Sequence, residues 1–413
     1  MAARLLGHEI SELCIGKPAL RSLSVSSAVA DALSALKRSD ESYLSVWSCE
    51  HSWRKAKAAA AAAATNGGEI NVEDSCKCVG KICMVDIICF LSKKENLLNP
   101  GTALQSPVSV LISKGSGIVK HLEPNASLLD AIELLLEGAQ NLVIPLLTRK
   151  KFIHKPSSSS TIHNNREYCW LTQEDIIRYL FNHIGLISPA PNHPIESLNI
   201  IDKDNVLTVQ LEDTAASALP LIQKSLVMQT SVAVVDEEGK LIDEISPSTL
   251  NSCDENVAAA IATLSIGDLM AYIDYGGPPQ ELIRLVKERL EERNMEASLE
   301  LMDDDSGFSS STSSNLSSSD EESSTCSGRS GGFGRYSTRV VRWSEGIVCH
   351  PWNSLVAVMI QALSRRVSYV WVVEEDGTLT GIVTFTGMVR VFRERLSYVV
   401  KAETENTTHN RQI

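Results

Sequence analysis

The chain has 413 residues, 43% of them hydrophobic and 5% aromatic, enough for one large or two to three ordinary domains with aliphatic cores. Its 38 basic and 51 acidic side chains leave a formal charge of −13, so neither a nucleic-acid backbone nor an anionic membrane surface is an expected partner. No run approaches 18 apolar residues, the opening segment carries Glu9 and Glu12, and ten cysteines are too sparse for a disulfide scaffold. The expectation is a cytoplasmic protein with reduced, mostly buried thiols, no signal or transit peptide and no membrane span.

From the N-terminus, LSVSSAVADALSAL (23–36) predicts an amphipathic helix leading into a short buried strand, YLSVW (43–47). A second strand ends near Cys83, and VDIICFLS (85–92) follows as a helix. The order returns at LEPNASLLDAIELL (122–135), NLVIPLL (141–147), a strand ending WLT (170–172), and EDIIRYLF (174–181). It returns again at LEDTAASALPLI (211–222) and SVAVVDEEGKL (231–241), with a strand ending near Ser246. There the chain passes through NSCDENVAAAIATL before SIGDLMAYI (265–273), read as an extra helix inserted before the terminal one. The last copy is VCHPWNSLVAVMIQAL (348–363), YVWVV (369–373), GIVT (381–384) and GMVRVFRERL (387–396). Ser127 and Ser354 each stand three residues after a proline and are expected N-caps.

A helix-to-strand spacing of 21 residues links Val25 to Val46, Pro124 to Pro145, Asp213 to Val234 and Pro351 to Val372. From each strand mark to the junction residue is 12 in the third and fourth copies, with Glu238-Gly239 and Asp376-Gly377 as hairpin turns. The distance grows to 37 and 27 in the first two copies, through Ala-rich and Ser-rich insertions. A hairpin tip tolerates insertion because closing a longer loop costs little more entropy.

The unit resembles the CBS domain, which works in pairs called Bateman modules. The resemblance rests on Pro124/Ser127, Pro351/Ser354, the EEDG turn, and the strand ends GIVT and WLTQED. ISELCIGKPALRSLS and LSIGDLMAYID look like four-repeat plant CBS-domain proteins, which are distantly similar to the γ-subunit of SNF1/AMP-activated kinases. It implies an α/β fold (α+β units): four tandem CBS repeats, each strand–helix–strand–strand–helix, paired into two Bateman modules. The expected boundaries are repeat 1 over 11–95 with an insertion at 51–78, and repeat 2 over 105–187 with an insertion at 150–166. Repeat 3 spans 195–275, an amphipathic helix and disordered acidic linker 276–340, repeat 4 341–400 and a disordered tail 401–413.

In that family a Thr or Ser at the strand end and an Asp three residues on contact the ribose and phosphate of an adenosine ligand. A helix N-terminus offers free amides and positive potential for phosphate. Residue by residue, Thr172 and Asp175 match; Cys83 replaces the hydroxyl in repeat 1 while Asp86 keeps the carboxylate; Thr384 is followed by Gly387. Repeat 3 offers Ser246 with Thr249, or Ser265 with Asp268. The expected ligand-binding residues are therefore Asp86, Thr172, Asp175, Cys83 and Thr384, with the surviving site in the first pair. The implied ligand is AMP, ADP, ATP or S-adenosylmethionine, with no required cofactor. The same Thr-x-x-Asp pattern also makes a helix capping box without any ligand, and both readings stand. Lys93, Lys94, Lys114, Lys120 and Arg178 are candidate phosphate partners.

No nucleophile–base set stands out, so no enzyme is expected, and Cys76, Cys78, Cys83 and Cys89 lack zinc-ligand spacing. GRSGGFGR (328–335) lacks the Lys-Ser/Thr of a phosphate loop. PPQELIRLVKERLEERNMEASLELM (278–302) predicts a helix with Leu282, Leu285, Val286 and Leu290 on one stripe. Residues 306–330 hold 13 serines, and Ser318 and Ser319 each precede an acid by three, the pattern acidophilic kinases favour. Two functions follow: a ligand-sensing regulator that engages a protein partner, a kinase complex by analogy, or a ligand-independent scaffold. A homodimer is compatible with either.

Overall fold

The computed structural model describes residues 5–38, 41–48, 76–112, 119–146, 162–164, 166–186, 190–274, 277–302 and 346–409, with 399–409 as backbone only. Nearly all of both insertions, the Ser-rich linker with Ser318 and Ser319, and Lys114 lie outside the described residues.

Four three-stranded sheets follow one another. They are β1 (Ser22–Ser24), β2 (Tyr43–Trp47) and β3 (Cys78–Cys83); β4 (Val119–His121), β5 (Asn141–Pro145) and β6 (Tyr168–Thr172); β7 (Thr208–Gln210), β8 (Val232–Val235) and β9 (Leu241–Ile245); β10 (Val348–Cys349), β11 (Tyr369–Val373) and β12 (Leu379–Thr384). In each, the first strand is parallel to the second and the second antiparallel to the third. A parallel pair needs a crossover, supplied by Val29–Arg38, Leu128–Leu136, Ala215–Met228 and Leu355–Arg365. Ser127 and Ser354 cap two of these through Asp130 N and Ala357 N. Thus each repeat is strand–helix–strand–strand–helix.

The central strands β5 and β11 are buried along their whole length, which explains their unbroken apolar sequence. One sheet face packs on its own helices. The other packs on a neighbouring sheet: Trp47 and Cys78 of repeat 1 meet Val143 and Tyr168 of repeat 2. Likewise Ala233 of repeat 3 meets Tyr369, Trp371 and Ile382 of repeat 4. These are the two modules.

The modules join through helices. Repeat 1 shares a core with repeat 3, where Ile87 and Ile88 meet the helix Val257–Thr263. Its buried Ala258, Ala259 and Ala260 permit close approach of the two helices. Repeat 2 shares a core with repeat 4, where Ile176, Ile177 and Leu180 join Met388, Val389 and Phe392. Arg393 Nη2 and Nε bind Glu133 at 2.7 and 2.8 Å across that contact. Each repeat therefore shares apolar cores with two others, and the four close on themselves.

Several expectations change. The strand registers make Ile144, not Pro145, equivalent to Val46, Val234 and Val372, and the third crossover helix is capped at Thr214, beside Asp213. That helix has 14 residues against 9 in Leu128–Leu136, so the uniform spacing of 21 was partly a coincidence of marks. In repeat 3 the helix after β9 is one turn, Pro247–Leu250, capped by Ser246. Ser265 instead caps a later helix, Ile266–Ile273, which bridges back to Thr214. The terminal helix Phe385–His409 continues into the stretch expected to be a disordered tail, because no Gly or Pro follows Gly387.

The helix expected over 278–302 spans Gln280–Glu292, ends at Asn294 in a left-handed conformation, and gives way to a 3-10 turn, Glu296–Leu301. Its stripe docks on the chain itself: Val286 and Leu290 are fully buried in the core shared by repeats 1 and 3. Arg289 and Arg293 donate to the carbonyls of Thr263 and Ala262, satisfying a helix C-terminus. Ser298 Oγ donates to Leu97 O of repeat 1, so this segment clasps both modules. Leu290→Ala is expected to cost about 2–5 kcal/mol in urea unfolding, whereas Glu288→Ala, in an exposed pair with Arg284, changes stability by less than about 0.5 kcal/mol.

Candidate functional site

At the end of the third strand of each repeat one residue, Cys83, Thr172, Ser246 or Thr384, stands at the start of the next helix, and the three hydroxyls cap it. Thr172 Oγ1 accepts from Asp175 N at 3.3 Å, and Asp175 Oδ2 accepts from both Thr172 N and Thr172 Oγ1 at 2.7 Å. Thr384 Oγ1 accepts from Gly387 N at 3.2 Å with no acid involved. In repeat 1, Asp86 Oδ2 accepts from Cys83 N at 2.7 Å, and burial pushes the Asp86 carboxyl up to about 6. Burial also raises the Cys83 thiol. Asn251 of repeat 3 takes the next amide, Met84 N, at 2.9 Å, so repeat 3 closes this helix start.

Lys17 makes an ion pair with Asp175 at 2.6 Å, both side chains about a quarter exposed. The segment carrying Lys17 runs on beside β6, where Leu20 N donates to Tyr168 O at 2.8 Å. The second module has a matching segment: Asp202 pairs with Ile382 of β12, and Ile200 O would lie 3.5 Å from a Cβ at position 387. Where the first segment offers a lysine to an acid, the second offers isoleucine to a glycine. Asp175 is thus explained first as the partner of a cap and a strap.

The strand–helix junctions of repeats 1 and 3 face a cavity of about 660 Å³ at the meeting of the two modules. Lys77, Lys81, Lys120 and Arg366 line it, and Asp86 is the one acid among its described lining residues. A local excess of cations in a chain of charge −13 is a focused positive potential. Cys83 and Asp86 line this cavity; Thr172, Asp175 and Thr384 do not. Of the candidate cations, Lys120 lines it, Lys93 lines a neighbouring 330 Å³ cleft, and Arg178 pairs with Glu174 at 2.5 Å.

The centre of each module carries a charge that the sequence did not single out. Lys81, two residues before Cys83, donates to Asn141 Oδ1 at 3.0 Å and lies 3.7 Å from the Tyr43 ring centroid. Burial lowers its pKa to about 8, against the pull of Asp86 and Asp175. Glu244, two residues before Ser246, occupies the equivalent place in the other module, opposite Ala233 as Lys81 is opposite Ser45. Its Oε1 accepts from Tyr369 Oη at 2.7 Å and its Oε2 from Trp371 Nε1 at 2.6 Å. Burial pushes its carboxyl up to about 7, although both donors favour the ionised form.

No family model matches the chain. It is 44% identical over 409 residues to CBS domain-containing protein CBSX5 of Arabidopsis thaliana, covering 96% of this chain and 99% of that one. The chain belongs to the CBS domain-containing protein family. CBSX6 of the same plant is 27% identical over 423 residues, covering 93% of each chain. The SNF1-related protein kinase regulatory subunit gamma-like PV42b, also from Arabidopsis thaliana, is 21% identical over 320 residues, 77% of this chain and 76% of that one. Among solved structures, protein MJ1225 of Methanocaldococcus jannaschii matches 93% of this chain and all of its own, with a TM-score of 0.50 and 15% identity. The four sheets are therefore four CBS repeats in two Bateman modules.

Other features of the CBS repeats are structural. The cysteines around β3 are buried, and no cluster of three or more His, Cys, Asp or Glu suited to a metal occurs among the described residues. No helix there is long and apolar enough to cross a membrane. His163, at the end of the repeat 2 insertion, is buried and stacks on Trp47 at 3.7 Å, so that end of the insertion seals the first pair of CBS sheets. Lys17, Lys81, Arg366 and Glu244 escaped the sequence reading. The signal for Lys81 was a lone charge in the strand CVGKIC; Glu244 stands beside Asp243 in LIDEI, so charge alone does not single it out.

Glu244 yields a pH prediction. Its carboxyl keeps a proton to about pH 7 when folded but loses it near 4.5 when unfolded. The folded state then binds the extra proton in that window, so stability falls as pH rises from about 4.5 to 7 and levels above. Urea unfolding of Glu244→Gln should lack this component. Its stability relative to wild type should rise by on the order of 3 kcal/mol across the window.

Proposed function

We propose that this chain is a non-catalytic regulatory CBS protein that binds an adenosine-containing ligand in the cleft of repeats 1 and 2, with its anionic groups reaching the central cavity. The observation that carries the reading is the set of Lys77, Lys81, Lys120 and Arg366 around about 660 Å³. A volume of several hundred Å³ suits a small ligand, and clustered cations suit phosphate. Asp86 lines the same space, and Asp175 stands within electrostatic reach of Lys81. Freed from Lys17, Asp175 offers its Oδ1 to a ribose hydroxyl while Oδ2 keeps the helix cap. AMP, ADP, ATP and S-adenosylmethionine are the candidates.

Because the cavity is walled by both modules, a ligand with unequal affinity for two module arrangements would shift their populations and alter the surface shown to a protein partner. The names of the relatives point to a regulatory setting, with a kinase complex as the analogy offered by PV42b. The eight described cysteines are all free, which suits a reducing, cytoplasmic environment.

A ligand-independent scaffold is favoured by one specific observation: Asp175 is already held by Thr172 and Lys17, and Asp86 by Cys83 N. Calorimetric titration of the full chain with ATP, AMP and S-adenosylmethionine separates the two. The ligand reading expects saturable heat with at least one, weakened at least about tenfold in Asp175→Ala. No heat with any of them, an unchanged melting temperature and stable co-purification of a protein would establish the scaffold instead.

A further inference from the structure

The two modules are built alike but carry opposite charges at their equivalent centres. Lys81 and Glu244 each sit two residues before the strand–helix junction of the first repeat in their module. Asn141 and Tyr369 are likewise equivalent, each opposite the junction threonine of the second repeat, Thr172 or Thr384. So Lys81 donating to Asn141 corresponds to Glu244 accepting from Tyr369. The exposure of the two groups differs as well. Lys81, Tyr43 and Asn141 line the central cavity, whereas Glu244 does not; it stands behind Tyr369, which forms the wall on that side. Val143 of the first module is replaced by Trp371, whose indole N–H holds the second carboxylate oxygen.

We propose that this one strand position sets the ligand specificity of each module: Lys81 admits an anionic group to module 1, and Glu244 anchors Tyr369 and Trp371 as a plug that keeps anions out of module 2. Glu244 is a positioning residue, acting through the two aromatic rings. An anion entering module 2 would meet a phenol whose hydrogen is already donated, backed by a buried carboxyl that repels it once ionised. In module 1 the same anion would meet an ammonium over an aromatic face, free to exchange the neutral Asn141 acceptor for a charged one. The inference rests on module 1 being the ligand-binding half, as proposed above, but the sign rule itself concerns anions and not adenosine.

The test is calorimetric stoichiometry on the full chain, with ATP and with inorganic tripolyphosphate as probes. Wild type should take one anion per chain. Lys81→Gln should weaken it at least about tenfold, and Lys81→Glu should abolish it. Moving the first module's pair into the second, Glu244→Lys with Tyr369→Asn, should add a second anion. Tripolyphosphate binding that depends on Lys81, without ATP binding, would sink the adenosine reading and leave the sign rule standing. Two anions per wild-type chain, binding indifferent to Lys81, no binding of tripolyphosphate at all, or unchanged stoichiometry in a double variant that still melts cooperatively would each overturn it. Should the double variant not fold, the wild-type stoichiometry and the Lys81 pair decide.

Discussion

A three-stranded sheet has two faces, and the helices of one CBS repeat cover only one of them. The whole architecture follows from covering the other. Trp47 and Tyr168 close the exposed faces of the first two sheets, and Trp371 with Ile382 does the same for the last two. Burial of large side chains of this kind is worth roughly 1.5–3 kcal/mol each relative to exposure. The helices then present a further apolar surface, because Met84–Leu91 has buried residues at nearly every position. That surface is satisfied only by another module, and so repeat 1 meets repeat 3 and repeat 2 meets repeat 4.

What the sequence made legible was local. Ser127, Ser354 and Thr172 announced helix starts because a cap is decided within four residues. The repeat order was legible for the same reason, as each strand and helix carries its own periodicity. The pairing of repeat 1 with repeat 3 was not, because the outer face of VDIICFLS is as apolar as its inner one and names no partner. Lys81 was not legible because its partner Asn141 lies 60 positions away in another repeat. The ion pair of Asp175 with Lys17 was not legible either, because the two lie more than 150 positions apart.

The duplicated frame has been specialised by a few side chains. The first module keeps its acids and places a cation at its centre; the second has Gly387 and Thr249 in the acid positions and places an acid at its centre. Backbone geometry is shared and electrostatics are not. Two copies that began as equivalents can diverge this way without disturbing the sheets, because the altered residues point between repeats and leave each repeat's own helix–sheet core intact.

The pairing of alternate repeats also has a consequence for biosynthesis. When the first module has left the ribosome, the helix Met84–Leu91 already exists but its cover, Val257–Thr263, has yet to be made. Helix Gln173–Asn182 waits longer still, for a terminal helix that begins at Phe385. A nascent chain of the N-terminal half therefore shows two greasy helical surfaces for the time needed to translate some 170 to 210 further residues, about 10–40 s at ordinary elongation rates. The N-terminal half is therefore the part of the chain that stays aggregation-prone longest while synthesis is under way.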